Sequence, residues 1–268
     1  MVPSNPSRRT AAASPAAATS GAASSRATAA GRATAGRTRA AGKQRSPAGP
    51  RLPKVLSSAV LPDHDLEDEA HLRRLAYADV ALSDRDAASV DVEECEFTGA
   101  DLSGSALTKT TFADCRFQRS DLANLATTSS SLIRCELRGL RTTGLRWTDG
   151  TLRDVVFEQC RMDLSAFRFT SFTKVHFVGC NLTQADFTNA DLKGARFVDC
   201  NLTGAQFAQA DMVGTRLHNC VLDGVRSVAS MRGAVIDPND LMALTYALAN
   251  ALGIVIETDA DADVTGTE

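Results

Sequence analysis

The sequence predicts an all-β solenoid, a chain wound into a four-sided coil, over residues 82–226. Three observations predict it. An apolar residue recurs at every fifth position, no proline interrupts the stretch from Asp63 to Asp237, and all cysteine separations are multiples of five residues. A period of five fits neither the 3.6-residue repeat of a helix nor the two-residue alternation of a plain strand. It fits a chain that turns a corner every five residues.

The five-residue repeat runs without a slip from Leu82 to Leu222. Of its 29 positions, 26 hold a large or medium apolar residue. A small or β-branched residue lies two positions before most of them, as Cys95 lies before Phe97. We expect these two side chains of each unit to point inward and the other three outward. A narrow interior packs closely when large and small residues alternate, and proline would remove hydrogen bonds between stacked turns.

The cysteines indicate the number of sides. All seven occupy the small inward position, and five of their six separations equal four repeat units. One turn therefore has four sides, and residues 82–226 make about seven turns. The exception is the interval from Cys135 to Cys160, which is one unit longer and contains the only tryptophan, Trp147. We expect either a local bulge near Trp147 or a shift of the cysteine column to the neighbouring face.

Several units resemble the A-[DN]-[LF]-x-x repeat of the pentapeptide-repeat family. The clearest are 100–104, 185–189 and 190–194, which read ADLSG, ADFTN and ADLKG. The resemblance covers residues 80–226 and implies a right-handed quadrilateral β-helix. The C-terminal segment, with Arg232-Gly233-Ala234 followed by Asp237-Pro238, is similar to the C-terminal modules of fluoroquinolone-resistance members. That similarity implies a homodimer, and it implies mimicry of duplex DNA at a type II topoisomerase.

Residues 1–54 are predicted to be a disordered basic leader. They carry ten Lys and Arg and no Asp or Glu, and no Leu, Ile, Phe, Trp or Tyr occurs before Leu52. Such a segment cannot bury enough apolar surface to offset the entropy of the chain. Three interpretations stay open: a solvated tail or sequence upstream of the true start, an organellar transit peptide, or a nucleic-acid-binding arm. The arm would use Arg26, Arg32, Arg37, Arg39, Lys43 and Arg45.

Helical caps are predicted on both sides of the coil. Residues 55–81 form the N-terminal cap, because the acidic run from Asp63 to Glu69 suits the first turn of a helix. Residues 227–268 form the C-terminal module. Asp237 as N-cap, Pro238 at the first position and Gly253 after the last turn predict a helix over 238–252, followed by a strand over 254–256 and an acidic tail. Two roles stay open for the leucines of this helix: a lid on the last turn, or a lid that also contacts a second copy. These leucines are Leu241, Leu244, Leu248 and Leu252.

The sequence predicts a non-enzymatic protein with no catalytic, cofactor-binding or metal-ligating residues. The four histidines are scattered, the cysteines point inward, and no glycine-rich phosphate loop or HExxH motif occurs. No stretch approaches the ~18 apolar residues of a transmembrane helix, so no membrane contact is expected. Residues 55–268 carry 19 basic against 32 acidic residues, and this net charge of −13 favours a soluble body in the cytoplasm.

Two hypotheses about the partner remain open. In the first, an acidic rod mimics DNA and binds a topoisomerase such as DNA gyrase, without direct DNA binding by the β-helix itself. Its candidate acidic surface is Glu96, Asp101, Asp121, Asp186, Asp191 and Asp211. In the second, the protein is a general interaction scaffold with an unknown partner. Its candidate contact is Trp147 together with a basic band of Arg134, Arg138, Arg141, Arg146 and Arg153.

Overall fold

A computed structural model describes residues 46–255 of the chain. They form a four-sided parallel β-solenoid of about nine turns that ends in a helix. The coil is thus about two turns longer than predicted, since it begins before Leu82. Residues 1–45 of the predicted leader, with all six basic residues of the predicted arm, and residues 256–268 of the acidic tail lie outside the described residues. None of the described helices is long and apolar enough to cross a membrane.

We name the four sides faces A, B, C and D after the units 95–99, 100–104, 105–109 and 110–114. Units one turn apart share a letter, because strands of successive turns pair in parallel and in register, as Phe97 pairs with Phe117. In each unit the first and third side chains point inward and the other three outward, as predicted from the repeat. Burial follows this pattern along most of the coil.

Faces D and A carry a 13-stranded parallel sheet. Three of its strands continue through the corner between the two faces: Ser131–Arg138, Thr151–Glu158 and Ser171–Val178. Its other strands are His71–Arg73, Asp91–Glu93 and Thr111–Ala113 on face D, Leu75–Ala78, Glu96–Thr98, Arg116–Gln118, Arg196–Val198 and Arg216–His218 on face A, and Ser57–Ser58 and Val235–Ile236 at the two ends.

Face C carries a separate four-stranded sheet, and face B is joined by isolated bridges. The face B bridges connect Ala81, Asp101 and Asp121 in successive turns. The strands of face C are Asp86–Ala88, Ala106–Thr108, Ala126–Thr128 and Arg146–Thr148.

The core consists of large inward side chains stacked from turn to turn. On face A, the ring of Phe177 stacks between Phe157 and Phe197 at centroid distances of 4.9 and 4.8 Å. On face C, Phe187 stacks between Phe167 and Phe207 at 5.5 and 5.4 Å. Stacking in register therefore turns the sequence period directly into a continuous apolar interior.

The interval from Cys135 to Cys160 is a shift of face and not a bulge. Cys135 pairs in register with Val155, and Val155 pairs with Val175, so the turn of four units is kept. The first three cysteines lie on face A and the last four on face B. Trp147 keeps its inward place on face C, where its indole Nε1 donates to the carbonyl of Ser130 at 3.3 Å.

The predicted helical cap at residues 55–81 is wrong. This segment holds strands and turns, because its apolar residues already follow the five-residue repeat. Leu72 and Tyr77 are buried in the inward columns, and the ring of Tyr77 stacks on Phe97 at 4.6 Å. The acidic run before them forms turns and packs Leu66 inward instead of starting a helix.

The C-terminal module follows the prediction more closely. Short 3₁₀ helices at Val228–Met231 and Pro238–Asp240 precede the α-helix Leu241–Ala251. The Asp237 side chain accepts a hydrogen bond from the Asn239 N–H at 3.0 Å, as expected of an N-cap. Gly253 has a φ of 71° just after the helix. Ile254 and Val255 lie in no strand, in contrast to the prediction, and residue 256 is outside the described residues.

Candidate interaction surfaces

The thiols lie inside the coil and act as small hydrogen-bonding core groups. All seven are free and buried. The Cys135 thiol donates to the carbonyl of Phe112 in the preceding turn, at 3.3 Å. The hydroxyls of Ser105 and Thr170 donate to carbonyls at the same offset, at 2.9 and 2.8 Å. Burial raises the pKa of the Cys95 thiol to about 11. Within residues 46–255, no three His, Cys, Asp or Glu side chains converge as metal ligands.

The six carboxylates of the predicted acidic surface do not form one surface. Asp101 and Asp121 lie on face B, and the other four are distributed over faces A, C and D. Five of the six form ion pairs. Glu96 pairs with Arg116 at 3.6 Å, Asp121 with Arg141 at 2.6 Å, and Asp186 with Arg168 at 2.5 Å. Asp191 and Asp211 both pair with Lys193, at 3.3 and 2.8 Å. Only Asp101 has no ion pair within the described residues.

The predicted basic band forms a belt around one turn. Its five arginines fall on all four faces, since they extend over a complete turn of the coil. Arg134, Arg138 and Arg141 pair with carboxylates of neighbouring turns, at 2.5, 3.3 and 2.6 Å for the shortest contacts. Arg146 and Arg153 have no ion pair among residues 46–255. The belt is therefore largely neutralised where it lies.

A different set of carboxylates is unpaired. Asp79, Asp84 and Asp86 lie in one early turn, at the end of a face A unit, at the end of a face B unit and on face C, and Asp101 lies on face B of the next turn, where it pairs in register with Ala81. None of the four has an ion pair within the described part of the chain. The first three were not predicted from the sequence. Asp79 and Asp84 are corner residues, and Asp is common at such positions because it tolerates the left-handed conformation. The absence of basic residues one turn away is therefore the one sequence signal that could have predicted unpaired carboxylates here.

The terminal helix exposes most of its apolar residues. Leu244 is 2% exposed and packs on the last turn of the coil, together with Ala243 and Ala247. Met242 and Leu252 are 78% and 75% exposed. Leu241, Tyr246 and Leu248 are also exposed. Of the four predicted leucines, one therefore serves as a lid and three face outward.

The last residues of the predicted leader lie along the corner between faces D and A. We call residues 46–56 the strap. The Ala48 N–H donates to Asp154 Oδ1 at 3.1 Å, and the Arg51 N–H donates to Asp114 Oδ1 at 3.0 Å. The strap thus runs across turns towards the N-terminal end of the coil, where Ser57 pairs with Leu75. These contacts lie within residues 1–54, the segment predicted to be a disordered leader.

Asp114 is the main anchor of the strap. Its carboxylate accepts two hydrogen bonds from the Arg134 guanidinium, at 2.7 and 2.5 Å, besides the bond from Arg51 N. The Arg134 guanidinium lowers the pKa of Asp114, and the Arg51 N–H adds to this effect. The side chain is mostly buried, so the carboxylate is held in its charged form by partners rather than by water.

Comparison with known proteins agrees with this architecture. The family model described as "Pentapeptide repeat region" matches residues 90–163 and 150–226. No curated protein matches the chain.

Several solved structures are similar at low identity. A trypsin-treated variant of QnrB1, a plasmid-mediated fluoroquinolone resistance protein, is 15% identical, with 76% of this chain and 98% of that chain covered and a TM-score of 0.30. HetL, from the cyanobacterium Nostoc sp. strain PCC 7120 and involved in heterocyst differentiation regulation, is 16% identical, with 63% and 85% covered and a TM-score of 0.26. A pentapeptide repeat protein of the Arabidopsis thaliana thylakoid lumen is 20% identical, with 42% and 65% covered and a TM-score of 0.20. At these identities and scores the likeness carries no argument about function.

Proposed function

The chain belongs to the pentapeptide repeat family, and we propose that it is a non-catalytic binding protein whose coils pair through their terminal helices. The observation that carries the proposal is the division between interior and surface. The thiols and many of the hydroxyls are inside the coil, whereas the outside presents many charged side chains, a few single apolar residues such as Leu164, and the exposed apolar side chains of the terminal helix. A cytoplasmic location is part of the proposal, because seven free thiols suit a reducing compartment.

Pairing through the terminal helix is supported by the apolar side chains that it exposes. Met242 and Tyr246 are exposed and lie four residues apart, and Leu248 and Leu252, also four residues apart, are exposed as well. Burial of one such side chain stabilises an interface by about 1.5–3 kcal/mol. A two-fold contact uses each residue twice, so a single charged substitution acts at two places.

Light scattering of the purified full-length protein tests the pairing. We expect a dimer mass for the natural chain and a monomer mass for Leu252→Glu and Leu248→Glu. Leu164→Glu is the matched control, since Leu164 is an exposed leucine on the coil, far from the helix in sequence, and its substitution should leave the dimer intact. A dimer mass in both helix variants would remove this helix from the interface.

A type II topoisomerase is the partner that we propose first. The unpaired carboxylates Asp79, Asp84, Asp86 and Asp101 support it, together with the net charge of −9 over residues 55–133. A protein surface that evolved to bind phosphates is attracted to such carboxylates, and ion-paired ones contribute much less. The acidic end of the rod, and not its whole length, would then enter the DNA site.

Gyrase supercoiling and drug-induced cleavage assays test this partner. The full-length protein should inhibit supercoiling or protect against cleavage at micromolar concentrations, and the effect should weaken as salt is raised. Replacement of the four unpaired Asp residues by Asn should remove the effect. Replacement of the three paired residues Asp186, Asp191 and Asp211 by Asn is the control and should leave most of it. Absence of any effect of the natural chain would contradict topoisomerase binding.

A scaffold for another protein is the second candidate. The unpaired Arg146 is the register partner of Ala166 in the following turn, and the chain on either side of Ala166 exposes Leu164 and Phe169, which are 57% and 56% exposed. Arginine and aromatic residues are enriched at the centres of protein interfaces. A partner captured by the natural chain and lost on Phe169→Ser and Arg146→Glu, with gyrase unaffected, would favour the scaffold over the topoisomerase.

A further inference from the structure

The charge pattern of one outward column of face A changes halfway along the coil. In its first turns, Glu96, Arg116 and Glu136 alternate in charge, and Arg116 lies 3.6 and 3.3 Å from the two carboxylates. After an uncharged turn the column continues with His176, Arg196 and Arg216. Neither of these arginines has an ion pair with any residue that the structure describes. The second half of the column is therefore basic without compensation.

The two arginines are held side by side by the fold. Arg196 and Arg216 are register partners on adjacent parallel strands, which lie about 4.8 Å apart. Like charges in directly opposite positions destabilise a sheet. The Arg196 Nε is buried and donates to no acceptor among the described residues. Burial and the nearby Arg196 lower the pKa of His176, in keeping with a positive potential at this place. An anion bound between the arginines would offset their repulsion and accept from Nε.

The two arginines also line a groove. It has a volume of about 400 Å³ and is completed by the polar pair His218 and Asp237 and by apolar residues that include Val235. The only carboxylate in the described lining is already engaged, since Asp237 Oδ2 lies 2.7 Å from His218 Nδ1 and the other oxygen accepts from Asn239 N. The groove thus offers guanidinium donors and no free carboxylate. Guanidinium groups bind carboxylates and phosphates in a bidentate manner, so the groove suits an oxyanion that lies next to apolar groups.

The chain itself contains a segment with this chemistry. Residues 254–263 read IVIETDADAD, with three apolar residues followed by Glu257, Asp259, Asp261 and Asp263, and no basic residue. Residues at a spacing of two lie on one side of an extended chain. The net positive groove and this purely acidic segment are complementary in charge.

The segment is long enough to reach the groove. The helix Leu241–Ala251 starts directly after Pro238, which lines the groove, and Asp240. Its 11 residues measure about 16 Å. From Val255, the eight residues to Asp263 span up to ~27 Å when extended. The segment can therefore return along the helix. We propose that Arg196 and Arg216 form a carboxylate-binding site that the acidic segment Glu257–Asp263 of the same chain occupies.

Competition with a soluble anion tests the site in the full-length protein. Inorganic pyrophosphate is titrated by calorimetry at low salt into the natural chain and into a variant with Asp259→Asn, Asp261→Asn and Asp263→Asn. A tethered competitor acts at an effective concentration near millimolar, so the variant should bind pyrophosphate about tenfold more tightly. Arg196→Gln with Arg216→Gln should abolish binding in both backgrounds. Arg116→Gln, in the same column but ion-paired, is the matched control and should change neither.

A cross-link identifies the occupant directly. In an Arg216→Lys variant, a carbodiimide condenses the new amine with a nearby carboxylate, and peptide mapping should find the amide bond at Asp259, Asp261 or Asp263. Equal pyrophosphate affinity of the natural and neutralised chains would overturn the segment as occupant. No anion binding by either chain would overturn the site itself. A cross-linked species of twice the monomer mass would show that the segment of a second copy fills the groove, and it would overturn occupancy within one chain.

Discussion

At the scale of single residues, the corners impose the strictest backbone requirement of the fold. From Glu69 to Gly224, every fifth residue has a positive φ, between 49° and 75°. Glycine occupies only some of these corners, and Asp, Asn, Ser, Lys, Arg and Gln occupy most others. The left-handed conformation costs a non-glycine residue about 1–2 kcal/mol. The coil therefore tolerates a repeated local cost because inward packing determines the turn.

The cost of the left-handed conformation predicts different effects of substitution on stability at Gly139 and Gln159, two corners of one column. Gly139 has a φ of 61°, and a Cβ there would meet nothing within 4 Å, so Gly139→Ala adds backbone strain alone. We expect a loss of about 1 kcal/mol in the free energy of unfolding. Gln159, one turn later with a φ of 53°, is the reciprocal site, and Gln159→Gly should not destabilise the protein. Urea unfolding measures both. A Gly139→Ala variant as stable as the natural chain would contradict a cost of the left-handed conformation at this corner.

A second residue-scale prediction concerns the buried thiols. The pKa of Cys95 is raised to about 11 by burial, from an ordinary value of 9.0. A raised pKa of an acid gives stability that is complete below the unfolded value and is lost as pH rises towards the folded value. Between about pH 8 and about pH 10, this one thiol should cost about 1 kcal/mol of unfolding free energy.

Cys95→Ser isolates that contribution. Serine fits the same kind of inward position, as Ser105 shows by its hydrogen bond to Leu82 O. The variant should fold and lose less stability than the natural chain when pH is raised from about 8 to about 10. Chemical unfolding at the two pH values gives the difference. An unchanged pH dependence would mean that the Cys95 thiol ionises as easily in the folded protein as in the unfolded one.

At the scale of elements, the strap shows how an irregular segment is fixed to a regular coil. It forms no strand over residues 46–56, and its described hydrogen bonds to the coil run from backbone N–H groups to Asp154 and Asp114. Both carboxylates also pair with basic residues, Lys174 and Arg134. The strap is thus attached to carboxylates that already form ion pairs between successive turns of the coil.

Removal of the main anchor should release the strap without unfolding the coil. In Asp114→Ala, the Arg51 amide loses a bond to a charged acceptor, a contribution of about 1.5–3 kcal/mol, so its hydrogen exchange should accelerate by about ten- to hundredfold. Asp121→Ala is the control, since Asp121 pairs with Arg141 but has no described bond to the strap.

The pKa of Asp114 is lowered, so the protection of the Arg51 amide against exchange should be complete above the ordinary pKa of Asp. It should be lost as pH falls through the lowered pKa of Asp114. Equal exchange in the natural and Asp114→Ala chains would contradict this role.

The elements differ in how far the sequence could predict them. The coil was predictable because each inward residue, such as Phe97 or Phe177, repeats one local requirement. The helical N-terminal cap was wrong because an acidic run is compatible with turns as well as with a helix, and Tyr77 was not recognised as a repeat position. The strap was missed because bonds from backbone N–H groups to Asp114 leave no pattern in the sequence. The ion pairing of the acidic residues was missed for a related reason, since a carboxylate such as Asp211 is neutralised by a lysine of another turn.

At the scale of the whole molecule, the coil is a one-dimensional stack. Each turn contacts mainly the turns before and after it, as Phe177 contacts Phe157 and Phe197. In such a fold the stability is approximately a sum over turns and their interfaces. The charge is also distributed along the axis, with an acidic surplus in the first turns, a basic belt around residues 134–153 and a basic groove near the terminal helix. Position along the rod therefore determines which partner a surface can bind.

This architecture predicts that a complete turn can be removed. Without residues 160–179, Phe157 would stack on Phe197 and Trp147 on Phe187, so each inward column keeps large residues of similar size. The variant should fold, keep the dimer mass, and show a denaturant dependence of the unfolding free energy that is reduced by about one part in nine, because that dependence scales with the surface exposed on unfolding.

Removal of only residues 160–162 is the control. It deletes less of the chain but shifts the five-residue repeat by three positions in all later turns, which would move the large inward residues such as Phe167 to the corners and turn charged residues such as Asp163 and Lys193 inward. Circular dichroism and urea unfolding should show a folded protein for the longer deletion and a disrupted one for the shorter. The opposite order would contradict a register of four repeat units as the basis of the fold.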